Sequence, residues 1–524
     1  MSSLDRGVVT VRAISLRILA GFAAVYCCVC VAAAAEPAKK PNIVWIIVDD
    51  MSANLSCYGE RLIKTPNVDR LAAEGTRFAK AFTTAPVCSP SRSALITGMY
   101  QTTIGAHNHR SGRGTEKIYL PDGVVPVPVL FKQAGYYTAI GGGVASPKAE
   151  AKAAQKKKGR TGGGGLGKTD YNFEYDPTMY DGADWSGRAA GQPFFMQVQL
   201  SGGKQRGGTD ASASALSKRA AERYGAAVKP EDVTLPPYYP RDPVLLRDWA
   251  AYLDSCRFTD EAVGNVIARL EKEGILDETI VCFMTDHGIS HARGKQFLYD
   301  EGIHVPLVIR GPGIPQGSVR EDLVEHLDLA ATSLALAGLE RPAGMQSRDL
   351  FAENFHPRDA VFAARDRCDE TVEHIRSVRT ERYKYIRNYL NQRPHFQPNN
   401  YKDGKTIVQT IRRLHAEGKL DALQEKLLFT VPRPAEELYD LDADPFETKN
   451  LADDPAHAAT LADMRGRLET WVRETGDRGA QPESTAMYDS DMKVYVGEKK
   501  AGDPKRAETE ANIRQMKAWA AEGK

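Results

Sequence analysis

The chain has 524 residues, long enough for one large domain plus a smaller one, or for two to four ordinary domains. Its 69 Lys and Arg residues against 68 Asp and Glu leave a formal net charge of +1. That balance gives no general argument for nucleic acid or a membrane surface as partner.

The first segment reads as an address. Arg6, Arg12 and Arg17 precede the apolar run "ILAGFAAVYCCVCVAAAA", and Ala33 and Ala35 stand in an A-x-A arrangement before Glu36. Residues 1–35 are therefore read as a cleaved signal peptide, with no transmembrane anchor left after cleavage, and the protein is expected to be secreted or periplasmic. Five cysteines follow the leader: Cys57, Cys88, Cys256, Cys282 and Cys368. An odd, widely spaced set with no CxxC pair is neither a disulfide framework nor a zinc site.

"NIVWIIVDD", residues 42 to 50, is a continuous apolar run ending in two carboxylates, the pattern of a strand buried on both faces. "TPNVDRLAAEGTRF" reads as a helix closed by Gly75. "CSPSRSALIT" starts a further helix-like run at Cys88, closed by Gly98. "AGYYTAIGG", "PFFMQVQL", "ETIVCFMTDHG" and "VPLVIRGPG" are strand candidates, and a long amphipathic helix ending at Gly274 separates the second from the third. Strands alternating with helices imply an α/β sandwich with a largely parallel sheet, whose sites gather at the carboxyl ends of strands. Residues 148–167, a Lys/Ala run followed by glycines, cannot bury a core and read as a mobile insertion. After about residue 372 the alternating "RSVRTERYKYIRNYL" points to a smaller α+β domain.

Three groups recur at element ends: Asp49-Asp50, Asp286-His287, and Cys88 with Arg92. Three carboxylates and an imidazole gathered by parallel strands would repel one another unless a divalent cation neutralised them. Mostly oxygen donors favour Ca²⁺ or Mg²⁺ over zinc. On these residues alone Cys88 stays open as disulfide half, metal ligand, nucleophile or buried thiol.

"CSPSR" followed by "LITG" matches the C-x-P-S-R-x-x-L-x-T-G pattern, and the chain resembles the type I, formylglycine-dependent sulfatases of the alkaline phosphatase superfamily. "NIVWIIVDDM", "TPNVDRLAAEGTRF", "MTDHG", "KQFLYDEGIHVPLVIRGPG" and "EELYDLDADPFETKNLA" are similar to that family's other blocks, in the same order. "GKTDYNF" and "ARDRCDETVEHIRSVRTERYKYIRNY" resemble most the heparan N-sulfatase-like branch. The resemblance implies an alkaline-phosphatase-like α/β sandwich over residues 41–372, with a large mostly parallel sheet flanked by helices. A smaller C-terminal α+β domain with an antiparallel sheet is expected over 373–524.

It further implies that Cys88 is oxidised to formylglycine by a formylglycine-generating enzyme that recognises Pro90 and Arg92. Hydrated, that residue attacks sulfur beside one bound Ca²⁺ per chain, Mg²⁺ being the second choice. By the same carry-over Asp49, Asp50, Asp286, His287 and Cys88 fall on metal-ligand positions, the last Asp/Asn/His position holding His where other members have Asn. Arg92, Lys168 and Lys295 fall on catalytic positions. Two departures leave the general acid open. Lys168-Thr169-Asp170 stands where many members have Lys-x-His, and "SGGKQRGG" after "PFFMQVQL" lacks the usual histidine. His291 is the replacement favoured by its place four residues before Lys295; His107, His109 and Lys204 are further candidates, and Arg365, Asp366 and Arg367 are expected to meet the sugar. The implied reaction is hydrolysis of sulfate esters or sulfamates on a sulfated carbohydrate, with no nucleic acid involved. A phosphatase or phosphodiesterase of the same superfamily would show a Ser or Thr nucleophile and more His/Asp ligands for two zinc ions. A catalytically silent glycan-binding protein is the other rival, and retention of Cys88, Arg92 and both lysines argues against it.

Overall fold

Strand β1 (Asn42–Val48) is buried along its whole length, as an apolar run without polar alternation requires. The strands that share its sheet are β2 (Thr76–Phe82), β3 (Tyr137–Gly141), β4 (Phe194–Leu200), β5 (Thr279–Thr285), β6 (His304–Arg310) and β7 (Ser318–Glu325). Their spatial order is β3-β4-β1-β5-β6-β2-β7. In this computed structural model, residues 39–143 and 166–524 are described. The expected leader, residues 1–35, and residues 148–165 of the expected insertion lie outside them.

β1 runs parallel to β4 on one side and β5 on the other, with Val48 in register with both Leu200 and Thr285. The residues that follow the three strands therefore emerge side by side. β6 runs against both of its neighbours, β5 and β2. Residues 286–303 carry the chain from the carboxyl end of β5 to the start of β6 at that same end, so β6 can only return. The sheet is thus mostly parallel, and its one reversal frames the site loop.

The expected helix after Thr65 is real but shorter, Pro66–Ala73, and "TRF" belongs to β2. Gly75 does not cap it. A Cβ there would lie 2.3 Å from the Ile309 carbonyl of β6, so glycine is needed for close backbone approach.

The alternation of β1 splits the core by face. Val44, Ile46 and Val48 join Leu245, Tyr252, Val263 and Leu270 of the Pro243–Lys272 helix. Ile43, Trp45 and Ile47 join Leu95, Ile96 and Leu329 on the other face. At roughly 1.5–3 kcal/mol per large buried apolar side chain, these two layers dominate the stability of the sandwich. Asp242 caps the long helix by accepting from the Val244 amide, and Pro243 opens it.

A separate antiparallel sheet holds β8 (Val361–Arg365), β9 (Ile375–Arg379), β10 (Tyr383–Asn388) and β11 (Glu436–Asp440), ordered β11-β10-β9-β8. Trp471, Leu468 and Met464 of the Ala458–Thr475 helix pack on it with Val378 and Tyr385. The described residues from 40 to 524 form a single compact unit. Among the described residues no helix is long and apolar enough to cross a membrane, and all five cysteines are unpaired.

Candidate active site

Cys88 begins the Cys88–Thr97 helix, every residue of which is buried. The free N–H groups and the positive end of the helix dipole therefore face whatever approaches the Cys88 side chain. Three strand-end groups close around it. The Cys88 Sγ lies 3.1 Å from Lys295 Nζ, 3.3 Å from His287 Nε2 and 3.8 Å from Lys204 Nζ. Burial pushes the thiol up, but the ammonium groups of Lys168, Lys295 and Lys204 outweigh it and hold the thiol well below the usual range.

The carboxylates are held by charged partners. Arg92 donates through Nε to Asp286 Oδ2 at 3.1 Å, and its other nitrogens reach Asp49 and Gln199 of β4. Lys168 lies 3.1 Å from both oxygens of Asp49, and Lys204 lies 2.8 Å from Asp49 Oδ2. Asp50, in the left-handed region at φ 54°, takes Lys295 at 3.0 Å and the Tyr401 hydroxyl at 3.2 Å. Burial opposes ionisation of Asp50, yet Lys295, Lys204 and His287 hold it below the normal carboxylate range. Asp286 goes the other way, to about 6, because burial and then Asp49 outweigh His287 and Arg92.

His287 gives the most direct test of a cation site. Its Nδ1 lies 2.9 Å from the Gly288 carbonyl, which can only accept, so Nδ1 carries the proton. In the neutral ring the Nε2 lone pair then faces Asp50 Oδ1 at 3.2 Å, Cys88 Sγ and, at 3.5 Å, Asp286 Oδ1. Burial lowers the His287 pKa, but Asp286 outweighs it and raises it. The positive charge that these acids call for therefore sits on the ring itself or, with Nε2 deprotonated, on a cation between Nε2 and the carboxylates. This tautomer is the one a ligating histidine adopts. The residues fit a hard divalent cation.

Of the other expected residues, His109 comes into the site and several do not. A ring nitrogen of His109 shares a pocket with Cys88 Sγ and an Asp170 oxygen, all within 4.8 Å of one another. His109 Nδ1 is taken by Asp369 Oδ1 at 3.2 Å. Burial lowers its basicity, but Cys368 and Asp369 outweigh that and raise it well above the usual value.

His291 is not brought to Cys88. Its buried ring packs on Tyr239 and Trp249, with Asp248 3.7 Å away and neither nitrogen hydrogen-bonded. Burial and then Arg206 hold it well below its normal pKa, so it stays neutral. Arg365, Asp366 and Arg367 were expected to meet the sugar, but all are buried and engaged internally. Arg367 pairs with Glu483 and Asp491, Asp366 with Arg376, and Arg365 with Glu373. Asp366, Arg367 and His107 line a different cavity of about 410 Å³. Arg365 and Asp366 are neutralised by partners within ten residues, Glu373 and Arg376, and Arg367 by Glu483 and Asp491, more than a hundred residues further along.

Sequence reasoning missed Gln199, Tyr401 and Asp369. Gln199 carried a weak signal, the inward position beside the end of β4. Tyr401 and Asp369 carried none, since only tertiary pairing brings them to Asp50 and His109.

The sulfatase family model matches residues 41–339, and the model for the C-terminal part of N-sulphoglucosamine sulphohydrolase matches residues 287–428. An ulvan-active sulfatase of Formosa agariphila is 30% identical over 487 residues, covering 85% of this chain and 77% of that one. Human N-sulphoglucosamine sulphohydrolase is 27% identical, covering 84% of this chain and 91% of its own. Among solved structures, a 2-O GAG sulfatase superposes with a TM-score of 0.57 at 20% identity, over 84% of this chain and 93% of the other. The chain belongs to the sulfatase family, on its heparan N-sulfatase-like branch, and is a sulfuric ester hydrolase.

Proposed function

We propose that the protein is a secreted or periplasmic sulfatase that removes sulfate, as ester or sulfamate, from a sulfated carbohydrate. Cys88, matured to formylglycine, is the nucleophilic position, and one Ca²⁺ is held by Asp49, Asp50, Asp286 and His287. The observation that carries this reading is the Cys88 side chain at a helix N-terminus, 3.1 Å from the Lys295 ammonium and 3.3 Å from His287 Nε2. The sulfated carbohydrates acted on by named relatives support the substrate class.

When present, the cation polarises sulfate oxygens and the hydrated aldehyde supplies the attacking hydroxyl. The chain's own residues do the rest. Lys295, Lys204 and Lys168 surround the nucleophile with positive charge that meets the oxygens as negative charge builds on them. Arg92 ties Asp49 to Asp286, fixing two carboxylates that come from different strands. His109, oriented through Nδ1 by Asp369, holds a proton beside Cys88 and gives it to the leaving oxygen or nitrogen. It takes the general-acid role that the sequence favoured for His291.

The test is sulfate release measured by ion chromatography, using protein whose residue 88 has been verified by mass spectrometry. Hydrolysis of phosphate esters without release of sulfate from any sulfated sugar overturns the reading.

A further inference from the structure

A cavity of about 370 Å³ opens beside Asp50 and Lys204 and runs past Tyr401 and Lys405 to Tyr495 and Lys505. We propose that this cavity binds a second anionic group of the substrate, a sulfate or a carboxylate, through the ammonium groups of Lys405 and Lys505. The inference rests on the sulfatase reading for the identity of the first anion.

Charge bookkeeping around the cavity carries it. Arg206, also on the wall, is committed to Asp248 at 3.1 Å and to the Gly203 and Ser290 carbonyls. Lys204 is committed to Asp49. Lys405 is not committed to any anion. It is 9% exposed, yet its ammonium has only neutral partners, the Ser290 hydroxyl at 2.8 Å and carbonyl at 3.4 Å. Among the described residues no carboxylate lies within ion-pair distance of Lys405 or Lys505. A buried ammonium without a counter-charge is costly, and burial followed by Arg206 pushes Lys405 down to about 7. An anion seated in the cavity removes that cost.

The position suits one sugar residue with two charged substituents. Lys295 and Lys405 lie over the same Tyr401 ring, each 4.9 Å from its centre, so their ammonium groups are about 10 Å apart at most. Tyr401 thus packs against both ammonium groups, with its hydroxyl on Asp50. The far wall comes from the Thr485–Gly497 and Pro504–Ala521 helices, which lie beyond both regions matched to family models. Lys505 is exposed there in the first turn of its helix, its backbone amide bonded to the Asp503 cap.

The experiment compares the full-length enzyme with Lys505→Ala and Lys405→Gln. The substrates are a monosulfated neutral sugar, the same sugar disulfated, and a sulfated uronate oligosaccharide. KM for one or both doubly charged substrates should rise about tenfold in each variant, while the monosulfated sugar changes less than twofold. Which doubly charged substrate responds tells sulfate from carboxylate. Equal effects on all three substrates, or none on any, overturn the proposal. Calorimetric binding of the disulfated sugar and the uronate oligosaccharide to the unmatured Cys88 protein gives a readout independent of turnover. Should the matured wild type release no sulfate while Lys505→Ala still weakens that binding, the sulfatase reading fails and the anion site stands. Unchanged binding of both the disulfated sugar and the uronate oligosaccharide sinks the site itself.

Discussion

Replacing Lys295 by Ala isolates one oriented positive charge from the rest of the site. Its ammonium lies 3.0 Å from Asp50 Oδ1 and 3.1 Å from Cys88 Sγ, and it is 3% exposed, so water does not screen it. Loss of one preorganised donor aimed at developing oxyanion charge costs about 10²–10³ in kcat, roughly 2.7–4 kcal/mol. The fold should survive. Asp50 keeps the Tyr401 hydroxyl at 3.2 Å, His287 at 3.2 Å and Lys204 at 3.6 Å, so it is not orphaned. The destabilisation should therefore stay below the roughly 3–5 kcal/mol of a buried charge stripped of its partner. The assay is kcat for an aryl sulfate, with thermal denaturation run on the same preparation. Lys295→Arg should recover part of the rate, since it restores the charge but not the geometry. A folded Lys295→Ala enzyme with kcat within threefold of wild type refutes the electrostatic role.

Other consequences can be measured on the same protein. The tryptic peptide containing residue 88, from a host with the maturation enzyme, should be about 18 Da lighter than its cysteine form; Cys88→Ala should abolish turnover while cation binding persists. Elemental analysis after dialysis without chelator should give one calcium per chain, and two zinc ions would move the assignment to the phosphatase branch. Activity should be present at low pH and fall as pH rises through the raised pKa of His109; Asp369→Asn, by removing a group that raises it, should move that fall to lower pH. Burial raises Asp366 to about 7, so the folded state binds its proton more tightly than the unfolded chain, and this group's contribution falls between about pH 4 and pH 7. Asp366→Asn should therefore raise Tm more at pH 8 than at pH 5. His291→Phe should leave kcat within threefold, because the ring contacts Tyr239 and Trp249.

What was legible in the sequence depended on whether the information was local. β1 announced itself because an apolar run of six residues after Asn42 has one comfortable environment, and the paired acids after it marked the carboxyl end of the sheet. The Cys88 segment was legible through motif spacing, as were Lys295 and the Asp286-His287 pair. β2 was not, since "TRFAKAF" mixes charge with apolar residues and becomes a strand only between β6 and β7. The surroundings of Arg367 and His291 were not legible for the same reason: Glu483, Asp491, Tyr239 and Trp249 are distant in sequence, and nothing in the local pattern names them.

The missing histidine after β4 has a physical resolution. Lys204 occupies the corresponding loop and reaches both Asp49 and Cys88. Burial alone would make it a readier proton donor, but Cys88 and Asp50 outweigh burial and raise its pKa above that of an ordinary lysine. A group held so firmly protonated neutralises oxygen charge well and gives up its proton poorly. In the proposed mechanism the proton for the leaving group comes from an imidazole instead. His107 is forced neutral, to about 3, by burial and Arg376. His291 is neutral in an aromatic pocket. His109 alone among these candidates combines a carboxylate on Nδ1 with a place beside Cys88. Asp170, where the family resemblance leads one to expect a second histidine, pairs at 2.6 Å with Arg113 and at 3.6 Å with Lys168. In the proposed mechanism the acid and the charge stabiliser thus exchange positions: lysine stands in the β4 loop, and the imidazole comes from the 107–109 segment, anchored by Asp369.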